Sequence, residues 1–230
     1  MNRRPICFYY GDGRMDDLVN YARVVLQPDF YQTAELRYLA EQGVQTLGYL
    51  SLSEDQGPPA PWQRQERNPD WGGAFVHVDH PLWVAHVVGA AKKAIAQGFA
   101  GLFLDTLNVE LTFPEDVPHL LTLVAAIREE AAPAYLLANR GFGMLPRLAE
   151  IVDGIVFESF SARWTEEGYA PWPPDALEFN AQIAEQLLQL ELDLYSLDYA
   201  DSSGLADFAE RRARQFGLQS FVSDRALSLT

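Results

Sequence analysis

The chain has 230 residues with 17 Lys plus Arg against 32 Asp plus Glu, and its formal net charge of -15 excludes nucleic acid as a partner, because the phosphates would be repelled. Hydrophobic residues at 48% and aromatics at 12% supply a sizeable core and exclude a disordered chain. The one cysteine, Cys7, excludes a disulfide framework or a cysteine metal site, and no apolar run reaches the ~18 residues of a membrane-spanning helix.

In chain order, ICFYY (6–10) reads as a first strand, and the Gly-Asp-Gly behind it ends the apolar run too soon for a signal peptide. RVVLQP (23–28) is a second strand, TAELRYLAEQG (33–43) an amphipathic helix closed by Gly43, and TLGYLSL (46–52) a third strand. A long polar, proline-rich segment (53–73) follows, of the kind that is functional or mobile in a compact domain. AFVHVD (74–79) reads as a strand, 81–99 as a helix closed at Gly98, and GLFLD (101–105) as a strand. Next come a helix at 117–131, a strand at 134–139, a helix at 144–152 and a strand at 154–159. A helix at 173–191, striped by Leu177, Ile183, Leu187, Leu188 and Leu190, leads to strands at 193–199 and 218–223 around a helix at 205–217 closed by Gly217.

Several strands are apolar at consecutive positions, as in a parallel sheet covered on both faces. Strand–helix alternation means βαβ units. About eight such units, without a Rossmann fingerprint or a Walker loop, favour a single (β/α)8 TIM-type barrel of the α/β class, one domain over residues 1–230. No cofactor is expected.

In such a barrel the chemistry lies at the carboxyl ends of the strands. The first three runs deliver Tyr9, Tyr10 and Asp12, then Asp29, then Ser51, Ser53 and Glu54. The next four deliver His77, Asp79 and His80, then Asp105 and Asn108, then Asn139 and Arg140, then Glu158. The last two deliver Asp198, Tyr199 and Asp201, then Ser223 and Asp224. One polar strand end is a helix N-cap. Nearly every strand end being polar, toward one rim, is a pocket lined by carboxylates and tyrosines.

Asp105 and Glu158 each follow an unbroken apolar run, GLFL and GIVF. Asp105 taken alone reads equally well as a cap or a catalyst, whereas glutamate is a poor N-cap. The two lie on the fifth and seventh runs, or on barrel strands four and six if 74–79 is irregular. Either way they are two strands apart, roughly 9–10 Å between backbones. Side chains leaning into the mouth would shorten this, and the spacing alone leaves both the retaining and the inverting glycosidase geometries open, with convergence favouring the shorter. His77, Asp79 and His80 offer a metal-dependent hydrolase as an alternative, although rim or satisfied histidines explain them as well. Core packing is the default for the five tryptophans; Trp71 and Trp164, in loops, are candidates for stacking on sugar rings.

The segments FYYGDG, LQPDFY, YLSLSE, NPDWGG, GFAGLFLDTLN, LANRGFGMLPRLAEIVDGIVFESF and YSLDYAD occur in this order over nearly the whole chain. Together they resemble glycoside hydrolase family 114, which contains the endo-α-1,4-polygalactosaminidases and the hydrolase domain of Pel exopolysaccharide proteins. The resemblance implies a (β/α) barrel that cleaves α-1,4-linked galactosamine polymers with an Asp after the fourth strand and a Glu after the sixth, matching Asp105 and Glu158. The family's YYG matches Tyr9, Tyr10 and Gly11, and its NRG matches Asn139, Arg140 and Gly141. Asn108 departs from the pattern, since many members carry a second aspartate there. The resemblance also implies action outside the cytoplasm. Retention is expected, with Asp105 as nucleophile and Glu158 as acid and base, although the two roles could be exchanged. The expected substrate contacts are Tyr9, Tyr10, Asp29, Tyr49, Trp71, Asp79, Asn139, Arg140, Asp198, Tyr199 and Asp201. A catalytically weak carbohydrate-binding barrel is the alternative outside catalysis. The partner is expected to be a cationic or neutral aminosugar polymer, which an acidic rim would attract, although solubility alone accounts for the charge. A monomer is expected.

Overall fold

The structure, a computed structural model, describes residues 3–230. Eight parallel strands form one sheet in chain order: β1 (Arg4–Tyr9), β2 (Tyr21–Leu26), β3 (Gln45–Ser51), β4 (Gly101–Asp105), β5 (Tyr135–Asn139), β6 (Gly154–Glu158), β7 (Asp193–Tyr199) and β8 (Gln219–Ser223). The sheet curls into a nearly closed barrel. At the seam Phe8 of β1 lies 5.9 Å from Phe221 of β8, ring to ring, although no ladder joins these two strands among the described residues. Helices α1 (Met15–Leu18), α2 (Thr33–Glu41), α3 (Pro81–Gln97), α4 (Val117–Ala131), α5 (Pro174–Leu187) and α6 (Ser203–Gln215) connect the strands.

The strands are greasy throughout because both faces are covered. Phe103 of β4 points inward and meets Phe8 edge-on at 5.3 Å, and its neighbours Leu102 and Leu104 are fully buried as well. Helix ends follow local chemistry. Gln32 and Glu35 form a capping box on α2, His80 Nδ1 accepts from the backbone N–H of Leu82 at the start of α3, and Ser202 caps α6. Gly43, Gly98 and Gly217 take positive φ at the opposite ends, as read from the sequence. At the amino end of the barrel Arg23 of β2 pairs with Asp193 of β7 at 2.8 Å and lies 4.1 Å from the Tyr135 ring of β5, while the Tyr135 hydroxyl donates to Asp193. This polar layer plugs the bottom and leaves the carboxyl rim open.

Three sequence expectations change. The run at 74–79 is not a barrel strand. Its residues Ala74–Val76 form the middle of a small antiparallel sheet with Glu54–Asp55 and Gln63–Arg67, an insert standing on the rim between β3 and α3. Asp105 therefore ends the fourth barrel strand and Glu158 the sixth. The segment 144–152 is not a helix but part of a pair of short 3-10 turns, Phe142–Met144 and Arg147–Glu150; Pro146, between them, cannot donate to an α-helical ladder. In α5 the buried face runs through Asn180, Ala181, Ala184 and Leu187, leaving Leu188 at 46% exposure. A second rim insert is the hairpin Ala162–Thr165 with Gly168–Pro171. Among the described residues no helix is long and apolar enough to cross a membrane.

Candidate active site

Three neighbouring strands end in the same way. Asp105, Asn139 and Glu158 close β4, β5 and β6, and the residue after each is left-handed: Thr106 at φ 62°, Arg140 at 59° and Ser159 at 55°. None of the three is glycine, and such backbone costs on the order of 1–3 kcal/mol per residue unless its surroundings hold it. Here they do. The Thr106 hydroxyl accepts the backbone N–H groups of Leu52 and Ser53 at 3.0 and 2.9 Å. The Arg140 N–H donates to the Val156 carbonyl at 2.8 Å, and the Ser159 N–H to the Leu197 carbonyl at 2.7 Å. Each sharp turn stops the strand with its last side chain facing the barrel mouth.

The Asn139 amide joins the two acids. Its Nδ2 donates to Asp105 Oδ1 at 2.8 Å and to Glu158 Oε2 at 2.6 Å. Because one nitrogen holds both, these oxygens stand no more than about 5.4 Å apart. The other Glu158 oxygen, Oε1, accepts the Tyr199 hydroxyl at 2.6 Å. Burial first, and then the Asp105 charge, raise the Glu158 pKa, against the opposing pull of the Tyr199 and Asn139 bonds and Arg140. Tyr49 packs against Tyr10, 5.2 Å between rings, and both line the cleft beside Asp105. Burial, followed by the Asp105 charge, pushes both hydroxyls well above the usual tyrosine range, so they remain neutral donors.

These groups line a cleft of 1740 Å³, with room for several sugar residues. Of the residues expected from sequence, Asp105, Glu158, Tyr10, Asp29, Tyr49, Trp71, Asn139, Arg140 and Tyr199 lie on its walls. Asp29 is at the margin, paired with Lys93 at 3.5 Å. Four do not line it. Tyr9 is buried at 6% exposure and its hydroxyl donates to the Asp12 carbonyl at 2.9 Å. Asp198 is fully buried, and its Oδ1 accepts the N–H groups of Ser161 and Ala162 at 2.6 and 2.8 Å. Strand parity is the reason, because Tyr9 and Asp198 each neighbour an inward-facing tyrosine and so point to the opposite side. Asp79 and Asp201 are exposed, in the turns that lead into α3 and α6, outside the cleft.

The histidine alternative does not assemble. His77 is exposed, His80 caps α3, and His86 stacks on Trp62 and Trp83 at 5.7 and 5.4 Å. Among the described residues no three His, Cys, Asp or Glu side chains are grouped as metal ligands. The cleft also holds residues that the sequence reading did not carry forward as substrate contacts. Glu54, fixed by Asn68 Nδ2 at 2.9 Å, has its pKa raised by burial and then by Asp105, although the Asn68 bond opposes this. Asp70, Arg163, Glu166, Glu167 and Arg225 come from the two rim inserts and the segment after β8. Only Glu54 carried a sequence signal, as a polar strand end; the others depend on how the inserts fold back.

No protein-family model matches the chain. An uncharacterized protein of Deinococcus radiodurans is 28% identical over 215 residues, covering 86% of this chain and 69% of that protein. The uncharacterized protein MJ1477 of Methanocaldococcus jannaschii is 24% identical over 102 residues, covering 40% of this chain and 30% of that one. Among solved structures, the glycoside hydrolase domain of PelA from Pseudomonas aeruginosa superposes with a TM-score of 0.89 at 28% identity, covering 99% of this chain and 97% of the domain. The chain carries a barrel like those of glycoside hydrolase family 114. Its class is that of a glycosidase, and the resemblance read from the seven sequence segments holds over the whole barrel. The Aspergillus fumigatus Ega3 structure, solved in complex with galactosamine, shares the fold with a TM-score of 0.74 at 10% identity over 98% of this chain and 92% of that one.

Proposed function

We propose that the protein is an endo-acting, retaining glycosidase that cleaves α-1,4-linked galactosamine or N-acetylgalactosamine exopolysaccharide. The observation that carries the reading is the Asn139 bridge, because two carboxyl oxygens held by one amide nitrogen, no more than about 5.4 Å apart, suit the ~5–5.5 Å spacing of retaining enzymes better than the ~6.5–9.5 Å of inverting ones. The substrate class rests on the similarity to the PelA hydrolase domain and on the acidic lining. Glu54, Asp70, Glu166 and Glu167 face the cleft, and none is in an ion pair among the described residues. They would hold the ammonium groups of a deacetylated chain. An open cleft of this size suits internal rather than terminal cleavage.

In the first step an Asp105 oxygen bonds to the anomeric carbon as the glycosidic C–O bond breaks, and the Glu158 proton passes to the departing oxygen. In the second, Glu158 takes a proton from water. The water oxygen then bonds to the anomeric carbon and the Asp105 carboxylate leaves. The raised Glu158 pKa supplies the acid form for the first step. The Tyr199 hydroxyl and the Asn139 amide hold its carboxyl group in place through both.

The test is digestion of galactosamine, N-acetylgalactosamine and glucosamine polymers, with products sized by mass spectrometry and their initial anomeric form read by proton NMR. Internal fragments with α-configured ends are expected from the galactosamine series. Asp105→Asn and Glu158→Gln should each lose roughly 10²–10⁴-fold in kcat. Undiminished cleavage in both variants would sink the assignment, and β-configured products would replace retention with inversion.

A further inference from the structure

Five tryptophans are present, and three are fixed by their indole N–H groups: Trp62 donates to Asp55 at 2.7 Å, Trp83 to the Leu52 carbonyl at 2.9 Å and Trp172 to the Ser159 carbonyl at 2.7 Å. Trp71 and Trp164 are different. Among the described residues neither indole N–H has a protein acceptor, both side chains line the cleft, and Trp71 is 49% exposed. They come from separate inserts, after β3 and after β6, yet meet edge to face at 5.7 Å. Arg225, from the segment after β8, lies 3.7 Å from the Trp164 ring and 4.5 Å from the Trp71 ring. Two bonds tie it there: its Nη2 donates to the Asp70 carbonyl at 2.8 Å, and the Tyr169 hydroxyl accepts its backbone N–H at 3.0 Å. It makes no ion pair with a carboxylate among the described residues.

Three rim segments rooted on strands spread around the barrel therefore converge on one cluster beside the cleft. Arg225 covers part of each indole, and both residues still line the cleft with neither N–H spent on a protein acceptor among the described residues. A rigid aromatic pair with free donors suits a pyranose ring, which offers C–H groups to the indole face and hydroxyls to the N–H. No hydrogen bond or ion pair connects the cluster to Asp105 or Glu158 among the described residues. We infer that Trp71 and Trp164, held by Arg225, form a sugar-binding platform on the cleft rim that engages only chains long enough to extend from the cleavage site to it. The platform would give the enzyme a chain-length preference, and Arg225 acts in it as a positioning residue.

The inference rests on the aminosugar-polymer reading, so the experiment measures binding separately from turnover. In a Glu158→Gln background, dissociation constants for α-1,4-galactosamine oligomers from the dimer to the decamer are measured by titration calorimetry. The same series is run for Trp71→Ala, Trp164→Ala and Arg225→Ala in that background. Affinity should rise with length to a plateau. The ratio of variant to parent Kd should grow with length, reaching roughly fivefold to tenfold for the longest oligomers. Arg225→Lys, which keeps a cation without the planar stack, should fall between parent and alanine variant. A ratio independent of length, with only a lowered Tm, would show a bracket between loops and overturn the platform. A parent whose affinity does not rise with length overturns it too. Failure of the unaltered protein to hydrolyse any oligomer would instead count against the glycosidase assignment, and the binding series would still decide the platform.

Discussion

Asp198 shows how one side chain governs another's position. It belongs to the dipeptide Asp198-Tyr199, whose two members grip opposite sides of the end of β6. Tyr199 holds the Glu158 carboxylate, while Asp198 holds the backbone just beyond it, at Ser161 and Ala162. Burial raises the Asp198 pKa to about 7, against the pull of its backbone bonds and the Arg212 charge. A carboxyl whose folded pKa exceeds its unfolded value contributes stability in full below about pH 4, and the contribution is lost as pH rises through the folded value. Asp198→Asn keeps an oxygen for both N–H groups and cannot ionise. The Tm of the wild type should therefore fall relative to the variant as pH goes from about 4 to 8, as followed by circular dichroism; a constant difference would contradict this reading. The carboxylates that end β4 and β6, the candidate catalytic pair, were legible as strand ends because each closes an apolar run. Tyr9 and Asp198 were misassigned because parity along a strand cannot be counted until its inward positions are known. The bridging role of Asn139 depends on the register among three strands, which no local pattern carries.

At the scale of elements, the site is placed by where strands stop and how closely they approach. The sequence showed all eight barrel strands, since buried parallel strands are continuously apolar. It missed that 74–76 belongs to a rim insert, because a short strand in a small antiparallel sheet has the same composition as one in the barrel. The left-handed residues Thr106, Arg140 and Ser159 were also invisible, because their conformation is imposed by tertiary hydrogen bonds against local preference. One close approach was likewise hidden at Gly101, which opens β4. A Cβ built there would lie 2.2 Å from the Tyr135 carbonyl oxygen of β5 and 2.7 Å from Leu47 Cδ2. Gly101→Ala must therefore push β4 away from β5, the two strands that bring Asp105 to Asn139. A loss of about 1–3 kcal/mol in urea unfolding is expected, with reduced kcat at temperatures where the variant stays folded. Unchanged stability would mean that the sheet relaxes there without cost.

At the scale of the molecule, the net charge of -15 acquires a testable consequence once the cleft is known. The lining holds both signs: Arg140, Arg163 and Arg225 face it together with Asp105, Glu158, Glu54, Asp70, Glu166 and Glu167. Attraction for a cationic chain therefore depends on the acidic surface as a whole more than on one ion pair, and long-range attraction is what salt removes, with a Debye length of about 8 Å at 0.15 M and 3 Å at 1 M. For a fully deacetylated galactosamine polymer, kcat/KM should fall by roughly tenfold between low salt and 1 M, mostly through KM. For a fully N-acetylated polymer, which carries no ammonium groups, it should change little. The comparison separates the two origins of the acidity: equal salt dependence for both polymers would leave the charge with solubility alone, whereas a steep dependence confined to the cationic one ties it to substrate capture.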